Sequence, residues 1–159
     1  MNTFFNPSSV VVIGASNSPF NLGATICRSL SEFTSFQGAK YAVNRKGEDV
    51  FGCRGYTRVT DIEGPVDLAV IIAPSKVVPG FVRQCGEKGI RHIVIESSGF
   101  SEGGEQGRAL QRELDEIRKA YGIRIMGPNC LGVLNTENRF CCFYGLQKDD
   151  METFATESG

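Results

Sequence analysis

Five short segments gather small, hydroxyl-bearing and cationic residues, and each directly follows an apolar run. The first, Gly14-Ala15-Ser16-Asn17-Ser18-Pro19-Phe20-Asn21-Leu22-Gly23, leads into a helical pattern, where free N–H groups and the positive end of a helix dipole suit a phosphate. It is neither a G-x-G-x-x-G fingerprint, since Ala15 and Ser16 follow Gly14, nor a Walker loop, since it has no lysine. A tight strand-to-helix turn needs small residues in any case. The second segment, Asn44-Arg45-Lys46, puts cations where an NAD site would carry an acid for the ribose hydroxyl. Cations there suit an extra phosphate on an adenosine ribose, as in the 2′-phosphate of NADP or the 3′-phosphate of coenzyme A. Two solvated surface cations are the competing reading.

The third segment, Ala73-Pro74-Ser75-Lys76, offers either a helix start for a ligand or plain helix capping by Ser75. The fourth, running from Glu96 to Gly104, holds Ser97, Ser98 and Gly99, richer in hydroxyls than a simple connection needs, and is read as ligand-facing. The fifth, Gly127-Pro128-Asn129-Cys130-Leu131-Gly132-Val133, sets a polar Asn129 and a thiol on a rigid Pro128 turn. No base accompanies Cys130 in the sequence, so packing is its expected role. The single histidine, His92, has no base, nucleophile or metal partner and is read as a solvated strand-edge residue. Six cysteines without a C-x-x-C pair or companion histidines point to free thiols, and Cys27 and Cys85 fall on apolar helical faces as small hydrophobes. No catalytic residue and no metal site emerge.

The elements that must position these segments are legible from periodicity. Val10–Ile13, Tyr41–Val43, Val66–Ile72, Ile93–Ile95 and Ile123–Met126 are apolar runs of strand length. Between them, Leu22, Ile26, Leu30 and Phe33 share one helical face, as do Val78, Phe81, Val82 and Cys85, and then Leu110, Leu114, Ile117 and Tyr121. Strands alternating with helices demand parallel pairing through crossovers. The fold class expected is therefore α/β, a Rossmann-like, doubly wound and mainly parallel sheet with helices on both faces. In such a sheet ligands bind beyond the carboxyl ends of the strands, where all five segments lie. The 159 residues make one domain, 1–146, followed by a tail, 147–159, without a clear pattern. With 17 Lys+Arg against 18 Asp+Glu there is no global basic field, which excludes nucleic acid and anionic lipid as partners unless a local cluster recruits them. The longest apolar stretch falls far short of the roughly 20 residues that cross a bilayer, and the start lacks a basic secretory signal, so a cytoplasmic protein without membrane contact is expected.

Taken together, Ile13-Gly14-Ala15-Ser16 with Gly23, Asn44-x-Lys46 with Val50-x-Gly52, Asp67-Leu68-Ala69-Val70 through Pro74, Ser97-Ser98-Gly99-Phe100-x-Glu102 and Gly127-Pro128-Asn129-Cys130-Leu131-Gly132 carry a family resemblance. In this order, over residues 7 to 145, the chain resembles the N-terminal CoA-binding domain of NDP-forming acyl-CoA synthetases, the group related to the succinyl-CoA ligase α subunit. The resemblance implies coenzyme A, or an acyl-CoA, lying across the strand ends. Gly14, Ala15 and Ser16 would sit near the nucleotide phosphates and Lys46 near the ribose phosphate, with Asn44 and Arg45 also among the cofactor-binding residues. Pro74 would also contact the coenzyme, and Ser97, Ser98, Gly99, Pro128 and Asn129 would lie toward the thiol. It also implies partner domains, in cis or trans: one bearing a phosphohistidine and one of ATP-grasp type, for acyl-CoA + NDP + phosphate ⇌ acid + CoA + NTP. His92 does not match that histidine, so this chain alone is expected to bind without turning over. Arg45 stands where the family usually has proline, which adds a charge and frees the backbone. An NADP-dependent oxidoreductase domain, or a stand-alone nucleotide-binding regulatory domain, is the alternative.

Overall fold

The computed structural model describes residues 3–34 and 36–145. Strands β1 (Ser9–Ile13), β2 (Ala39–Val43), β3 (Arg54–Tyr56), β4 (Leu68–Ile71), β5 (His92–Ile95) and β6 (Arg124–Met126) form one sheet in the order β3-β2-β1-β4-β5-β6. Every pairing in it is parallel. Helix α1 (Leu22–Arg28) continues into a wider π turn, Ser29–Phe33, while α2 (Val78–Lys88) and α3 (Gly104–Tyr121) end at Gly89 and Gly122, both left-handed.

Alternation along the strands sorts the core into two layers. Val11, Ile13, Ala69, Ile71, Ile93 and Ile95 pack with Val78, Val82, Cys85, Leu114 and Ile117 of α2 and α3. Val10, Val12, Leu68, Val70 and Val94 turn the other way, toward Ala24, Ile26, Cys27 and Leu30. That second layer is completed by a small antiparallel hairpin, β7 (Leu134–Asn135) with β8 (Phe140–Cys141), which adds Phe140 and Cys142. Because both layers close on β1 and β4, truncation there is felt in full. Leu68→Ala removes a side chain with no exposed surface and is expected to cost about 2–5 kcal/mol, read from denaturant unfolding.

Several expectations shift. Strand β3 lies inside the stretch read as a polar connection; with only three residues at the sheet edge, none of them fully buried, it carries almost no apolar signature. The β7–β8 hairpin likewise escapes periodicity, its strands being two residues each. Ser75 does not cap α2. It opens a short 3₁₀ turn, Ser75–Val77, and neither that turn nor α2 has a side-chain cap. His92 does open a strand, β5, but that strand lies between β4 and β6 and the imidazole is half-buried rather than solvated, edge-on to Phe4 at 5.1 Å between ring centres. Burial, helped by the Arg124 charge and opposed by Asp67, pulls its pKa down. The boundary expected at residue 146 and the tail from Gln147 to Gly159 lie outside the described residues.

From the centre of the sheet the chain winds outward in both directions, β1 to β2 to β3 and β4 to β5 to β6. The carboxyl ends of β1 and β4 therefore open a crevice between loops that diverge.

Candidate functional site

The loop after β1 is built around a side chain that motif reading passed over. Asn21 Oδ1 accepts from the backbone N–H groups of Ser16 (3.0 Å) and Ala24 (2.8 Å), and its Nδ2 donates to the Gly14 carbonyl (3.1 Å). One amide thus caps α1 and pins both ends of the turn. The expectation that this loop offers free N–H groups to a phosphate needs correction at Ser16, whose N–H is already taken. Gly14 donates to Val43 O (2.9 Å) and sits at φ +96°, while Ala15 is fully buried behind it, against Gly23.

The turn after β2 is organised the same way. Asn44 Oδ1 accepts from Lys46 N and Glu48 N, both at 3.1 Å, and its Nδ2 donates to Glu48 O (2.8 Å). Its side chain is spent on shaping the turn. What the turn presents is Arg45, exposed, and Lys46, whose ammonium lies 3.5 Å from Glu48 Oε1 with 76% of the side chain exposed.

These two loops, with Thr57, Ala73, Pro74, Val77 and Phe81, enclose a recess of about 700 Å³, a size suited to a small-molecule ligand. Gly14, Ser16, Asn44, Arg45, Lys46 and Pro74 all line it. A second recess of about 460 Å³ shares Ala73 and Pro74 with the first and runs on to Asn21, Gly23, Glu96, Ser97, Ser98, Asn129 and Tyr144. Ala73 and Pro74 thus line both hollows. Ser97 Oγ accepts from Ala73 N (3.0 Å), and Asn129, at φ +57°, donates its N–H to Ser97 O (3.0 Å), which locks the fourth and fifth segments together. Gly99, at φ +96°, works from behind: its N–H donates to Glu102 Oε1 (2.7 Å), and the Glu102 carboxyl is kept below its usual range first by its own N–H and then by those of Gly99 and Phe100. Pro128 shapes the turn that carries Asn129. Cys130 is half-buried, burial pushes its thiol pKa up, and Sγ points at Ile95 O (3.4 Å), in keeping with a packing role.

Glu96 was not singled out from the sequence. It is 6% exposed, and neither carboxylate oxygen has a hydrogen-bond partner among the described residues. Burial pushes its pKa up to about 9, so the group is a neutral carboxylic acid at pH 7. The one available signal was a charged residue directly after a run as apolar as Ile93-Val94-Ile95.

Comparison with known proteins decides the family. A model of the CoA binding domain matches residues 8–136. This chain belongs to the CoA-binding domain family. The CoA-binding-domain chain is 44% identical to the alpha subunit of acetate–CoA ligase [ADP-forming] II of Pyrococcus furiosus, covering 100% of this chain and 35% of that one. It is 43% identical to acetate–CoA ligase [ADP-forming] II of Archaeoglobus fulgidus, over 92% of this chain and 22% of that one. Among solved structures it superposes, with a TM-score of 0.84 and 36% identity, on the dinucleotide-forming acetyl-coenzyme A synthetase 1 of Ca. Korarchaeum cryptofilum in complex with phosphate and ADP, covering 91% of this chain and 30% of that one. The CoA-binding-domain chain thus spans about a third or less of these relatives. Its six-stranded parallel sheet is the Rossmann-like α/β fold expected, and the oxidoreductase alternative is not favoured. Among the described residues no helix is long and apolar enough to cross a membrane.

Proposed function

We propose that this chain binds coenzyme A, or an acyl-CoA, across the two recesses, as the CoA-binding part of a cytoplasmic NDP-forming acyl-CoA ligase. The observation that carries this reading is the recess at the sheet's switch point, walled by Gly14, Ser16, Arg45 and Lys46, in a chain of the CoA-binding domain family. The nucleotide half would lie in the larger recess, its ribose phosphate beside Arg45 and Lys46. The pantetheine arm would cross Pro74, and the thiol would end among Ser97, Ser98 and Asn129. No residue here is assigned to phosphoryl transfer. The phosphohistidine and the nucleotide site would belong to other parts of the ligase, which exchanges acyl-CoA, NDP and phosphate for acid, CoA and NTP.

The test isolates the ribose phosphate. Lys46→Ala is expected to weaken coenzyme A about tenfold in calorimetric titration while changing dephospho-CoA less than twofold. A charged hydrogen bond contributes about 1.5–3 kcal/mol. The lower end applies, because Lys46 is largely exposed and already shares charge with Glu48. Equal losses for both ligands would remove Lys46 from the site.

A further inference from the structure

The second recess contains a group that the coenzyme A reading leaves unused. Glu96 forms part of its wall, at the carboxyl end of β5, where the backbone is fixed by the bond from Glu96 N to Ile71 O (3.0 Å). Its carboxyl is buried and unpartnered among the described residues, which is a costly state for a polar group. Oε1 is accommodated against Gly132: a side-chain carbon at that position would come within 2.7 Å of it. The thiols of Cys130, Cys141 and Cys142 share its surroundings, and the pKa of each is pushed up, chiefly by burial. None of them hydrogen-bonds to Glu96. Turning Glu96 toward a ligand therefore breaks no bond within the described chain, and a ligand acceptor would supply the partner it lacks.

The recess also contains what an acyl group needs beside that acid. Ser98 and Asn129 are exposed at its rim, and Ile72, Gly23 and Tyr144 give it apolar wall. A thiol offers only a weak hydrogen bond, whereas a thioester carbonyl is a competent acceptor. We propose that Glu96 recognises the acyl end of the bound ligand, its carboxylic acid donating a hydrogen bond to the thioester carbonyl oxygen in the second recess. This rests on the coenzyme A reading above and adds a specificity to it. The domain then favours the thioester over a ligand of the same shape without the carbonyl, and Glu96 is the residue that tells them apart.

Titration of the full 159-residue chain with acetyl-CoA and with S-ethyl-CoA, a thioether of nearly the same shape, tests this. The unmodified chain is expected to bind acetyl-CoA about tenfold more tightly, the worth of one hydrogen bond to a buried polar group. Glu96→Leu and Glu96→Met, two apolar replacements of similar size, are expected to abolish that preference while leaving S-ethyl-CoA affinity within about twofold. Glu96→Gln, whose amide can still donate, is expected to keep part of it. If the preference survives both apolar variants, or is absent from the unmodified chain while both ligands bind, the inference falls and the coenzyme A reading stands. If neither ligand binds the unmodified chain, the coenzyme A reading falls and takes the inference with it.

Discussion

Gly14→Ala is expected to destabilise the domain by about 3 kcal/mol or more and to abolish ligand binding with it. Two costs coincide. At φ +96° the backbone lies where an L side chain is strained, by roughly 1–2 kcal/mol. The new methyl carbon would also stand 2.1 Å from the Ile72 carbonyl oxygen and 3.0 Å from its carbon. These are backbone atoms of the loop leaving β4, and Ile72 is held in place by its own N–H bond to Ile13 O (3.0 Å). Relief requires the ends of β1 and β4 to part, which opens the crevice between the two recesses. Gly64→Ala is the control: φ is +75° but nothing lies within 4 Å of the new carbon, so only the conformational strain remains, roughly 1–2 kcal/mol. Equal destabilisation of the two variants in urea unfolding would show that the contact with Ile72 is relieved at no cost.

A second large effect belongs to pH. Stability is expected to fall as pH rises from about 5 to 9, and Glu96→Gln is expected to flatten that slope. The folded chain holds the Glu96 proton up to about 9, against 4.5 for the ordinary side chain, so within that window the folded state binds more protons than the unfolded one. The stabilisation is complete below the unfolded value and is lost as pH climbs toward the folded one. The slope is at most about 1.4 kcal/mol per pH unit from a single group. For a domain of this size that is of order 3–5 °C in melting temperature per unit. Local opening around the β7–β8 hairpin would hydrate the carboxylate before the whole cost is incurred, so the total is expected to be a few kcal/mol. At pH 8 the Gln variant should melt higher than the unmodified chain, because an orphaned buried acid is no longer forced toward ionisation. A melting temperature that stays level from pH 5 to 9 in the unmodified chain would place Glu96 in contact with water.

The sequence made the central sheet legible for a definite reason. Strands β1, β4 and β5 are buried on both faces, so Val10-Val11-Val12-Ile13 or Ile93-Val94-Ile95 cannot be mistaken for an exposed segment. Helix α3 was equally clear, its apolar stripe ending at a glycine that adopts the left-handed conformation a helix terminus favours. Strand β3 was not legible because an edge strand of three residues is held by backbone bonds that any sequence can make. Within the site, the residue types around the recesses were readable, since Gly14, Ser16, Arg45 and Lys46 combine small size and positive charge. Their internal wiring was not. Asn44 reads as one more polar residue near a cation, yet its amide is fully committed to Lys46 and Glu48. Glu96 was hidden for the opposite reason: a carboxylate after a strand ordinarily reaches water, and only the three-dimensional arrangement of Gly132 and the segment around Cys142 covers it.

The three hydrogen bonds made by the one Asn21 amide carry a kinetic consequence. A loop that must freeze around its ligand gives up conformational entropy on every encounter, and its association rate falls with the rarity of the competent shape. Here the shape is set beforehand by a side chain that belongs to the loop itself. A ligand arriving at the larger recess would meet a loop already held in shape, so its capture would be governed by diffusion and charge, and differences in affinity between ligands would be differences in how long they stay.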